Sequence, residues 1–189
     1  MVMAAAELAM ALADWERVED PPGRRAELLS GVLRMNPAPR PVHQHVVRLL
    51  TNAFADACGP NLLAVFDVEW RIPAATPETL HHAPRPDVLV ADALALRGHV
   101  AFAGEPLIVV EVLSPGNRKA DLDDKKAVYF DNGACHYVQV HAEDEQAVSI
   151  VWSIRGTGGW DPIAEACGDA VLAVDDPFRL RLRPDALLF

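Results

Sequence analysis

The sequence predicts a chain of the α/β class, in its α+β form: a central mixed sheet flanked by helices, with a hairpin before it and antiparallel strands after it. Three observations carry this reading. From Val42 onward, His43, Val46, Val47, Leu50 and Phe54 repeat at helical spacing until Gly59 and Pro60 stop the run. Arg85 to Ala91 and Leu107 to Leu113 are dense in Val, Leu and Ile on alternate faces, as in interior strands covered on both sides. Beyond Ala147, short strand patterns separated by turn residues continue almost to the C-terminus. With 189 residues and no composition break, the expected organisation is one domain over 1–189. It divides into an N-terminal helix and hairpin (about 1–40), a core (about 41–141) and a C-terminal strand addition (about 142–189).

Taken in order, residues 3 to 16 are good helix formers ending at Trp15 and predict a short helix. Arg24 to Asn36 alternates loosely about Ser30 and Gly31 and reads as a hairpin. The proline-rich piece from Asn36 to Pro41 breaks the chain before the helix that starts at Val42. Asn61 to Ile72 has the period of two of a strand with one wet face, with Val65, Phe66, Val68, Trp70 and Ile72 set against Asp67, Glu69 and Arg71. Pro73 to Pro84 reads as a loop, in which His81 and His82 form a solvated pair. Between the two interior strands, Asp92 to Glu105 is a connection with a helical turn. Ser114 to Asn117 ends the third strand and opens a second helix, with Asn117 as N-cap and Gly133 as C-cap. Cys135 to His141 is a strand. Ala147 to Ile154, Asp161 to Ala166, Ala170 to Val174 and Phe178 to Leu182 complete the set, with turns at Gly156 to Gly159 and at Asp175 to Pro177.

Composition narrows the function classes. There are 27 acidic and 17 basic residues, a net charge of −10, which excludes broad affinity for nucleic acid through many lysine and arginine contacts. Any role on nucleic acid then needs a local basic patch or a bridging metal. Cys58, Cys135 and Cys167 are too far apart for a zinc site or a disulfide framework and read as small buried fillers in a reducing compartment. The start of the chain lacks a basic segment and carries Glu7, against a signal peptide, and no apolar run is long enough to span a membrane, so the expected location is the cytoplasm. Arg179, Arg181 and Arg183 share one face of a strand and read as an exposed charged face.

The chemistry-bearing residues interrupt the two interior strands. Asp87 lies in the first and Glu111, flanked by apolar residues, in the second. An ionised carboxylate in a dry sheet costs several kcal/mol unless a cation or several donors compensate it. Two on neighbouring strands ask for a shared partner, and a divalent metal is the simplest. On the helix that follows, Leu122, Lys125, Lys126 and Tyr129 sit at i, i+3, i+4 and i+7, so at least one lysine falls on the inward stripe. Spacing alone leaves Lys125 and Lys126 equivalent. Two acids, Mg²⁺ or Mn²⁺ and a lysine near a bound water make a phosphodiester hydrolase site.

These residues also carry a resemblance. Arg85-Pro-Asp87, Glu111-Val-Leu-Ser-Pro115, Asp121 with Lys125, Tyr129 and Gly133, the Tyr137 strand, the Glu27 to Gly31 hairpin and the Pro39-x-Pro41-x-His43 approach to the first helix occur in order over roughly residues 15 to 140. Together they make the chain resemble the Uma-type restriction endonucleases, a bacterial branch of the PD-(D/E)XK nuclease superfamily. The resemblance implies a restriction-endonuclease-like core and a DNA endonuclease activity. It assigns Asp87 and Glu111 as metal-binding acids and selects Lys125 over Lys126 as the residue that activates water; in the site read this way, the Val112 carbonyl completes the shell. Glu27, as a metal-water ligand, and His43, as a phosphate contact, match further family positions, and Tyr129 packs with its hydroxyl at the site. In the wider superfamily a lysine stands two residues after the second acid; here Leu113 holds that place. Asn36 replaces the family's serine, and His136-Tyr137-Val138 replaces its Glu-Tyr-Trp. One site per chain and two strands to cut favour a homodimer.

A rival reading keeps the fold without the chemistry. A net charge of −10 and the lack of an obvious basic groove suit a catalytically inactive binding or regulatory module. A third reading has Glu111 in a structural salt bridge, and taken singly His43 is a satisfied core histidine.

Overall fold

A computed structural model describes residues 8–97, 99–113, 119–144 and 147–188. Its centre is a six-stranded sheet built from β4 (Leu62–Phe66), β7 (Val88–Asp92), β8 (Ile108–Leu113), β9 (His136–Asp144), β10 (Ala147–Arg155) and β11 (Trp160–Cys167), in the order β11-β10-β9-β8-β7-β4. The β8–β9 pair is parallel and the others antiparallel, so the sheet is mixed as the sequence predicts. The parallel step needs a crossover, and α4 (Lys119–Asp131) supplies it.

Strand alternation decides what each face meets. Val88, Val90, Ile108, Val110 and Val112 pack with Val46, Val47, Leu50 and Phe54 of α2 (Pro41–Ala57). Leu89, Ala91 and Val109 turn the other way, onto Trp70, Phe102, Val128 and Tyr129. Glu111 is in phase with Val109, so its side chain falls on the α4 face. Helix α2 runs in the expected register; Pro41 occupies its first turn, where a missing N–H costs nothing.

The hairpin is also as predicted, with β2 (Arg24–Leu29) and β3 (Val32–Pro37) paired from Arg24↔Pro37 to Leu29↔Val32. Its two-residue turn has both φ angles positive, 51° at Ser30 and 71° at Gly31, the geometry that suits right-twisted strands. A Cβ on Gly31 would stand 2.2 Å from the Leu8 carbonyl oxygen, so glycine is needed there twice over. The connection after β7 holds the helical turn α3 (Ala93–Leu96), capped by Asp92, whose Oδ1 accepts from the Leu94 N–H at 2.8 Å.

Four local expectations are corrected. Among the described residues helix α1 is only Leu12–Trp15, because β1 (Met10–Ala11) pairs with β6 (Thr79–His82) and tertiary pairing outweighs helix propensity there; the first part of the predicted helix, 3–7, lies outside the described residues. The predicted strand over 61–72 is broken at Asp67, which adopts a φ of 55°; β4 ends at Phe66, which is 62% exposed, and β5 (Ile72–Pro73) starts afresh. The segment 73–84 is not a loop throughout, since β6 pairs with both β1 and β5. Cys135 and Cys167 are exposed rather than buried fillers. The Asn117 cap and the Ser114-Pro115 end of the Glu111 motif lie outside the described residues, while Gly133 ends α4 with a φ of 90°. The C-terminal strands β12 (Leu172–Val174) and β13 (Leu180–Leu182) pair as expected, and Arg179, Arg181 and Arg183 are exposed. Among the described residues no helix is long and apolar enough to cross a membrane.

The β6 pairing changes the account of the histidine pair. His82 is buried, and its Nδ1 accepts from the Ser30 N–H at 3.0 Å, tying β6 to the hairpin turn. Burial, assisted by His81, pushes its pKa from 6.5 down to about 4. A depressed histidine stabilises the fold above its unfolded pKa, and that contribution is lost as pH falls through the folded value. His82→Asn keeps an acceptor without a titrating ring. Denaturant unfolding from neutral pH down to about 4 should therefore show the wild type losing on the order of 2 kcal/mol more than the variant, solvent screening included. Parallel profiles would contradict this.

Candidate active site

Asp87 stands immediately before β7, beyond the last β7–β8 rung. Its Oδ2 accepts from the Val112 N–H at 2.6 Å, so a carboxylate takes the place of a ladder carbonyl there. A residue in a strand directs its N–H and C=O to the same edge, so the Val112 carbonyl also faces the β7 side. From the opposite layer α2 brings His43, whose Nε2 lies 3.2 Å from the same Oδ2. Burial alone would lower the His43 pKa. The hydrogen bond and charge of Asp87, the charge of Glu111 and the Val112 backbone outweigh it, and the pKa is raised. His43 Nδ1 is buried and has no hydrogen-bond partner among the described residues.

Glu111 is 5% exposed on the α4 face, where Lys125 Nζ donates to its Oε1 at 3.2 Å and the Tyr129 hydroxyl donates to the same oxygen. Lys125 is therefore the inward lysine, its side chain 13% exposed, whereas Lys126 lies 5.8 Å from the Tyr137 ring centroid. Tyr129 is held from behind by Trp70, stacked at 5.8 Å and 17°. Glu27 of β2 closes the group. Its Oε1 accepts from Lys125 Nζ at 2.8 Å and from the Arg85 N–H at 2.7 Å, and its Oε2 from Asn36 Nδ2. Both oxygens are thus engaged, and the residue matched to a metal-water ligand is here a partner of Lys125.

The electrostatics follow from this packing. Burial opposes the charge on Lys125, but Glu111 and Glu27 overcome it and hold the ammonium protonated. Burial pushes the Glu111 carboxyl up; Lys125 opposes that, while Asp87 and Glu27 add to it. The Tyr129 phenol is pushed well above its usual range, first by burial and then by Glu111, so it remains a donor. Glu111 and Glu27 thus share one lysine while Asp87 is paired with His43, and a divalent cation would offset the repulsion between Asp87 and Glu111. The oxygen donors of Asp87 and Glu111 fit a hard cation that keeps several waters. Among the described residues no three His, Cys, Asp or Glu side chains cluster as a complete metal-ligand set, so a shell here depends on backbone and water oxygens.

The residues border a cleft of about 680 Å³ that is also lined by Arg24, Arg25, Arg34, Arg40 and Arg85. With Lys125, six of the 17 basic residues meet five carboxylates, Glu27, Asp67, Asp87, Glu111 and Asp121, at one opening, so the cleft is a mixed-charge one. Arg34 pins the hairpin to α4 through Asp121 at 2.9 Å and Asp124 at 2.7 Å. Of these contributors, Arg24, Arg25, Arg34 and Arg40 escaped the sequence reading, and Arg85 and Asn36 entered it only through the family motifs. The one available signal is the period of two that puts Arg25 and Glu27 on the same face of β2.

A mixed sheet with this strand order and flanking helices is a nuclease-type α/β fold. It is similar to the crystal structure of a "putative nuclease belonging to DUF820" from Anabaena variabilis ATCC 29413, with a TM-score of 0.64 and 15% sequence identity over 87% of this chain and 89% of that one. The family model of Uma2, described as "Putative restriction endonuclease", matches residues 11–181, and the chain belongs to this nuclease family. No curated protein sequence matches it.

Proposed function

We propose that the protein is a divalent-metal-dependent phosphodiester hydrolase that acts on DNA as an endonuclease. The observation that supports this best is Lys125, buried between Glu111 and Glu27 on the rim of a cleft that also exposes Asp87. Asp87, Glu111 and the Val112 carbonyl would hold Mg²⁺ or Mn²⁺, which when bound polarises a phosphoryl oxygen and lowers the pKa of its water. Lys125, permanently charged, orients the attacking water and stabilises the negative charge that develops on the phosphoryl group. Glu27 and Tyr129 fix its geometry, the first by binding the ammonium and the second by holding Glu111. His43 sets the carboxylate plane of Asp87. We further assign a homodimer, in which each strand of a duplex meets its own site, and a reducing cytoplasm as its compartment.

The test is cleavage of supercoiled, linear and single-stranded DNA and of RNA with Mg²⁺ or Mn²⁺, run beside Asp87→Ala and Lys125→Ala. Metal-dependent cleavage of DNA that vanishes in both variants is expected. Cleavage unchanged in both overturns the site, and duplex binding without cleavage by the wild type favours the inactive binding module.

A further inference from the structure

The arginines around the cleft are held by carboxylates, and one of these holds two. Arg25 of β2 pairs through Nη1 with Asp67 Oδ1, and Arg85 Nε lies 3.4 Å from the same oxygen. Asp67 follows β4 in a left-handed conformation, and its N–H reaches the Asp87 carbonyl at 3.4 Å, which places it beside the residue proposed as a metal ligand. The three side chains are 32%, 29% and 24% exposed, and all line the cleft. A second ion pair, Arg85 Nη1 to Asp20 Oδ2 at 2.9 Å, keeps the Arg85 guanidinium in position.

Two features point to a ligand other than Asp67. Arg85 Nε is a buried donor without a hydrogen bond among the described residues, since Asp67 Oδ1, 3.4 Å away, is not aligned to accept from it. Two guanidinium groups converging on one oxygen also form a cradle better filled by phosphate, which offers several acceptor oxygens and the bidentate geometry arginine favours. A partly exposed ion pair contributes little to stability, so exchanging the carboxylate for a phosphate costs the fold little.

We propose that Arg25 and Arg85 form a binding subsite for a phosphodiester group of the nucleic-acid backbone, and that Asp67 occupies it in the free protein as an internal competitor. The identity of the ligand rests on the nuclease reading of the same cleft. Asp67 thereby lowers the affinity of the cleft for polyanions in general. A backbone must displace it, and only one that engages the rest of the site does so efficiently.

The experiment is equilibrium binding of a short fluorescein-labelled DNA duplex, read by anisotropy in EDTA so that no cleavage occurs, over a salt series. Asp67→Asn removes the charge and tolerates the left-handed backbone. It should bind about tenfold more tightly, with a salt slope steeper by about one to two released counterions. Arg25→Gln added to it should cancel most of the gain. Glu165→Gln, an equal charge change exposed on β11 at the far edge of the sheet, should leave binding unchanged. Unchanged or weaker binding by Asp67→Asn overturns the inference, as does an equal gain in Glu165→Gln or a gain that survives Arg25→Gln. Absence of cleavage by the wild type with metal would overturn the hydrolase reading and leave this binding comparison standing.

Discussion

Lys125→Met is expected to abolish cleavage and to lower folding stability by about 3 to 5 kcal/mol, the cost of leaving buried carboxylates without their cation. Methionine preserves most of the aliphatic stem, so the loss is electrostatic rather than a cavity effect. Glu27 and Glu111 both accept from the ammonium, and both are buried. The deficit should therefore depend on pH with a definite sign. Burial already raises the Glu111 carboxyl from 4.5, and removing Lys125 takes away the opposing influence. A carboxyl raised in the folded state costs stability above its unfolded pKa, so the variant should recover relative to wild type as pH falls toward the ordinary glutamate range. Chemical denaturation at neutral and mildly acidic pH measures this. A deficit below about 1 kcal/mol would mean that the ammonium is effectively solvated, and wild-type cleavage by the variant would remove it from the mechanism.

Asp87→Asn separates chemistry from folding. An asparagine oxygen can still accept from the Val112 N–H, so stability should change by no more than about 1 kcal/mol. Metal binding loses a full negative charge, and cleavage should fall on the order of a thousandfold, the equivalent of several kcal/mol of transition-state stabilisation. A readout independent of turnover is the melting temperature: Mn²⁺ should raise that of the wild type through linkage and leave that of Asp87→Asn nearly unmoved. Equal shifts in the two proteins would place the ion elsewhere.

The parts of the fold that were legible depend on local periodicity. The α2 stripe from Val46 to Phe54, the hairpin about Gly31 and the two interior strands all announce their buried face within a dozen residues. The departures arise where partners distant in sequence decide. Met10 and Ala11 become a strand because Leu80 and Thr79 are there to pair with them. His82, read as solvated, is buried because the chain returns to Ser30. The strand over 61–72 breaks because Asp67 takes a left-handed turn, a conformation that the alternating pattern around it does not encode.

The candidate site divides in the same way. Residue types and spacing on their own marked Asp87 and Glu111 as carboxylates in need of a cation and restricted the nearest lysine to Lys125 or Lys126, because a charge within an apolar run is costly wherever the run folds. Which lysine turns inward, how Glu27 and Asn36 close around it, and which acids neutralise the arginines depended on contacts between segments that only the folded chain brings together. Glu27 and Lys125, 2.8 Å apart, and Arg25 and Asp67 are such pairs. Their energies come from distance and desolvation, quantities that a linear sequence does not contain.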